Sequence, residues 1–169
     1  MNFLLRIKNW QLFLLLLIPC IVMSFLDFVY SERSLLNDLI CGIYIFIIIA
    51  WNYRVIKEFN VTANVLSVRN LMLVDCFYYY TIASYLCVVF LINLEQSLLN
   101  DCILSFAIVT SIIGLLFLVF NSSKILRILE NKERKDFAGV IGTMILILYF
   151  PVGIWWMQGK VNKYYKEMH

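Results

Sequence analysis

The run Leu12-Phe13-Leu14-Leu15-Leu16-Leu17-Ile18 and its counterpart Ile43-Tyr44-Ile45-Phe46-Ile47-Ile48-Ile49 decide the fold. A membrane β-strand alternates apolar and polar residues over about ten positions. Neither run alternates and neither carries a charge, so both predict helices. Extended outward to the nearest charged residues, they become two of five apolar stretches. These run over residues 10–26, 39–53, 76–94, 102–120 and 137–156. Crossing a hydrocarbon layer of about 30 Å takes about 20 helical residues. The second stretch is the shortest and borrows Leu35, Leu36 and Ile56 from its flanks. The prediction is an all-α, polytopic membrane helix bundle of five transmembrane helices, forming one transmembrane domain over residues 1–169.

Composition supports the same reading. Of 169 residues, 63% are apolar and 15% charged, and the mean hydropathy is +0.85. A soluble domain carries roughly 45–50% apolar and about 25% charged residues, so lipid is the expected solvent and the bilayer the first partner. Soluble enzymes, nucleic-acid-binding modules and disordered tails are excluded on this ground. The five cysteines lie inside apolar runs with no C-x-x-C pair, and there is a single histidine, His169. No metal site or cofactor is expected, and buried thiols acting as small hydrophobes account for the cysteines.

Arg6 and Lys8 before the first apolar run open like a signal peptide, but no small-residue cleavage pattern follows, since the first alanine is Ala50. The first helix is therefore expected to stay as an anchor. Lys and Arg cluster before the first stretch, between the second and third, and between the fourth and fifth, where five of the fourteen lie. The positive-inside rule then puts the N-terminus in the cytoplasm. Lys160, Lys163 and Lys166 dissent if the fifth segment crosses completely, and agree if it is re-entrant. Pro151 and Gly153 interrupt that segment, and irregular backbone at membrane depth needs cover. Trp155, Trp156 and Gln158 read as an interface anchor at its wet end, and a complete, Pro/Gly-interrupted span is expected.

Glu32-Arg-Ser-Leu-Leu-Asn-Asp38 recurs as Glu95-Gln-Ser-Leu-Leu-Asn-Asp101, each copy leading into a span. Shared helix-start chemistry explains the residue types, whereas an ancient duplication also explains their order. The duplication gives two hairpins related by an axis along the membrane normal, followed by the fifth helix. Asn60-Val-Thr62 and Asn121-Ser-Ser123 match the glycosylation pattern but fall on the predicted cytoplasmic side.

Ionisable residues within spans are the usual functional suspects. Asp75 is the first candidate, with Tyr78 and Tyr79 on its face at helical spacing. An acid at the centre of a span costs roughly 2.5–3.5 kcal/mol. Asp75 is expected either as a proton or cation ligand or as an interfacial acid paired with a loop lysine or arginine. Ala138-x-x-x-Gly142, Gly139-x-x-x-Thr143 and Thr110-x-x-x-Gly114 place small residues one turn apart, which lets helices approach closely. Nothing in the sequence forms a phosphate-binding glycine loop, a nucleophile elbow or paired carboxylates.

Two segments resemble an uncharacterised family of bacterial multi-pass membrane proteins: Asn9-Trp10-Gln11-Leu12-Phe13, and Phe150-Pro151-Val152-Gly153-Ile154-Trp155-Trp156-Met157-Gln158 with Asn162. Gly159 stands where the family's pattern has proline after the glutamine. The resemblance implies the helix layout alone. The role expected is a non-enzymatic accessory or scaffold subunit binding a membrane-protein partner or a second copy of itself. The rival is a small transporter or channel using Asp75 and the Pro151–Gly153 break.

Overall fold

The computed structural model describes residues 7–29, 35–92, 98–131, 137–148 and 152–168. It is all-helical over them: α1 (Asn9–Val29), α2 (Leu35–Ala63), α3 (Val68–Ile92), α4 (Leu98–Asn131), α5 (Phe137–Leu148) and α6 (Val152–Met168). α2, α3 and α4 are long and apolar enough to cross a membrane, and the number rises to four if α5 and α6 together count as one span. The described apolar part of α1 is the shorter Trp10–Pro19. This differs from five complete spans.

The helix ends follow from local chemistry. Gln11 reaches back to accept a hydrogen bond from the backbone N–H of Lys8 at 3.1 Å, the glutamine half of a capping box that starts α1. α2 ends where Asn64 turns left-handed (φ 47°), the conformation asparagine tolerates best after glycine. Asn60 then clamps the turn: its Nδ2 donates to the Leu66 carbonyl at 3.0 Å, and its Oδ1 accepts the Leu66 N–H at 2.7 Å. The amide N–H of Asn70, three residues on, donates to Ser67 Oγ at 3.4 Å and caps α3. α2 and α4 start at Leu35 and Leu98, equivalent positions of the repeated motif. Residues 30–34 and 93–97, which hold the first part of each copy, lie outside the described residues.

Packing is divided by level. At the end holding Ile7, the 64–67 turn and Glu130, here called the basal end, Trp51, Val55, Ile56, Phe59, Leu118 and Ile125 are fully buried in one cluster. Away from that end the helices turn large apolar residues outward, among them Phe46, Phe90, Phe106 and Ile113. Only 22–28% of each long apolar window is buried. Lipid tails are as apolar as leucine, so burial gains nothing there and close approach matters instead. Gly114 shows how that approach is made: a Cβ there would collide with Thr81 Oγ1 of α3.

α5 and α6 do not continue one another. Their axes are bent by 118°, so the segment 137–156 is either a broken span or a re-entrant loop and not a straight crossing. α5 has twelve residues, about 18 Å of helix, well short of a bilayer core. The bend requires Gly153, because a Cβ there would collide with the Leu146 carbonyl oxygen. α6 then runs back to the basal end, where Lys160 Nζ meets Glu130 Oε1 of α4 at 2.6 Å. Pro151 lies outside the described residues.

Candidate functional site

Asp75 sits two turns into α3, facing α2. Its Oδ2 pairs with Lys57 Nζ at 2.8 Å and its Oδ1 accepts the Tyr53 hydroxyl at 2.9 Å. The Tyr53 ring stacks on Tyr78 with centroids 4.0 Å apart, and Tyr78 meets Tyr79 edge-on at 5.2 Å. Tyr79 itself points outward, 66% exposed. Of the expected trio, then, Asp75 and Tyr78 share the α2–α3 seam and Tyr79 rims it. The Asp75 and Lys57 side chains are each about one-third exposed, at 35% and 34%. A pair this open contributes at most about 1 kcal/mol.

The second constellation lies at the basal end of α6. Gln158 is fully buried. Its Oε1 accepts the Trp51 indole N–H at 2.7 Å, and its Nε2 donates to the Ile7 carbonyl at 3.2 Å and to Asn162 Oδ1 at 3.0 Å. Asn162 Nδ2 reaches the same Ile7 carbonyl at 3.1 Å. Indole only donates, so Trp51 fixes which way the Gln158 amide faces. Trp155 leans on Phe13 with ring centroids 5.5 Å apart, while Trp156 is 62% exposed. The start of α1 and the described residues 152–158 of α6 thus meet.

A neighbouring pair joins α2 to α4. Asn52 Nδ2 donates to the Ile48 carbonyl at 2.9 Å, and Ser122 Oγ donates to Asn52 Oδ1 at 2.5 Å. Asn121 Nδ2 donates to the Phe117 carbonyl at 2.8 Å, so both asparagines of the glycosylation-like triplets are buried and engaged within the protein.

Sequence reasoning did not single out Tyr53, Lys57, Trp51, Asn52 or Ser122. The available signal was the demand that a polar side chain within an apolar helix find a partner. Asn52 and the Asn121-Ser-Ser123 triplet raise it without saying who the partner is. Among the described residues, no three His, Cys, Asp or Glu side chains come together. No family model, curated protein or solved structure matches this chain.

Proposed function

We propose that the chain is a non-enzymatic integral membrane protein of a bacterial cytoplasmic membrane: an accessory or scaffold subunit that holds a membrane-protein partner against its outward apolar helix faces. In this reading α1 to α4 cross the bilayer, α5 and α6 form a re-entrant hairpin, and the basal end is cytoplasmic. Thirteen of the fourteen lysines and arginines then fall on one side, with Arg33 alone opposite, as the positive-inside rule favours. The family resemblance of the two contacting segments belongs to the same proposal.

The observation that carries the role is where the buried polar groups point. Gln158, Asn162, Asn52, Ser122 and Asn60 bond one helix or turn to another, which builds a rigid base beneath a broad greasy surface. A transporter or channel working through Asp75 and the Pro151–Gly153 break needs polar groups gathered at depth around the acid. Asp75 instead engages Lys57 and Tyr53 toward the basal start of α3.

Two measurements test the reading. Tagged protein extracted in mild detergent is expected to carry a membrane protein in fixed stoichiometry, and an outward Phe106→Ala or Ile113→Trp change is expected to loosen it. In reconstituted vesicles, Asp75→Asn is expected to leave ion and proton flux at the wild-type level. A wild-type flux abolished by Asp75→Asn, with no partner retained, overturns the proposal in favour of transport.

A further inference from the structure

Above the Asp75 pair, α2 and α3 part and leave a slot of ≈ 260 Å³. Its walls are Ile43, Phe46 and Ile49 on one side and Ile82, Leu86 and Val89 on the other. The rim is open, since Ile43 is 58% and Leu86 62% exposed. At the top the ring of Tyr85 closes on Gly42, where a Cβ would stand 3.3 Å from the ring. One turn below Ile49 and Ile82 the rings of Tyr53 and Tyr78 stack on each other. The same helix faces continue downward into charge. Lys57 lies one turn below Tyr53, and Arg54 lies eleven residues below Ile43, three turns along nearly the same line and about 16 Å away.

We propose that this seam binds one anionic glycerophospholipid, with an acyl chain in the slot and the phosphate on Arg54 and Lys57. Three observations select that occupant. At ≈ 260 Å³ the slot is too small for one turn of a helix about 10 Å wide. The volume exceeds the roughly 150 Å³ of an apolar cavity that holds benzene, and the walls offer a hydrocarbon chain contact along its length. Arg54 supplies the base with a guanidinium charge. Lys57 is balanced by Asp75, whereas Arg54 makes no ion pair among the described residues. A phosphodiester monoanion neutralises it, and a guanidinium matches phosphate geometry in bidentate fashion. The site is independent of the accessory role proposed above.

Native mass spectrometry of the delipidated protein tests the site with phosphatidylglycerol and with diacylglycerol, which lacks the phosphate, of the same chains. Wild-type protein is expected to take up one phosphatidylglycerol with about tenfold preference over diacylglycerol, the size of one charge-assisted contact. Arg54→Gln is expected to erase the headgroup preference and keep chain uptake. Ile43→Trp, which fills the slot from an exposed rim position, is expected to weaken both lipids alike. Equal binding of both lipids by wild type, or unchanged binding in both variants, overturns the proposal. So does a preference that survives Arg54→Gln.

Discussion

Single polar atoms decide how this greasy chain becomes one structure rather than an ensemble of apolar rods. Gln158 is the clearest case, because its amide satisfies the Trp51 indole and the Ile7 carbonyl together. A buried group left without its partner costs about 1–3 kcal/mol. Trp51→Phe keeps most of the apolar volume and removes the donor, so it is expected to lower stability by that amount. Thermal unfolding in detergent measures it, and an unchanged midpoint would show that the bond contributes nothing. Gln158 could be singled out from sequence beside the Trp pair, but its partner could not. Trp51 lies 107 residues away, and one indole within an apolar helix carries no mark of direction. Asp75 is different, because an acid near a span end announces its need for a cation, though not which of Arg54, Lys57 or Arg69 answers it.

At the scale of elements, uninterrupted apolar runs made the helices legible, since hydrophobicity alone sets whether a stretch crosses lipid. α2 and α4 outrun their apolar stretches, 39–53 and 102–120, because amphipathic turns continue each helix to Ala63 and Asn131. The α5–α6 break was legible in place but not in angle. Pro151 and Gly153 announce an interruption, whereas the 118° turn depends on a backbone contact with Leu146. Two glycines separate these effects. Gly153→Ala forces a Cβ onto that carbonyl and is expected to cost about 3 kcal/mol or more. At Gly142 a Cβ meets nothing within 4 Å, so Gly142→Ala is expected to stabilise the helix by roughly 0.5–1 kcal/mol. Unfolding midpoints that move together for both variants would refute the packing assigned to the bend. The three small-residue pairs divide likewise: Thr110–Gly114 and Gly139–Thr143 face neighbours, while Gly142 faces outward.

For the whole molecule, charge and contact argue for the same arrangement. α6 returns to the residues that precede α1, so tags placed at residues 1 and 169 are expected on the same face of the membrane. Protease protection in sealed vesicles of either orientation reads this directly, and tags on opposite faces would restore a fifth complete crossing. The closing contact also has a temporal side. Ile7 leaves the ribosome 151 positions before Gln158. Any product of premature termination before Gln158 therefore presents a bare indole and an unmatched carbonyl at its base. Closure of the base therefore waits for the ribosome to reach Gln158, and until then the earlier helices hold their polar groups open.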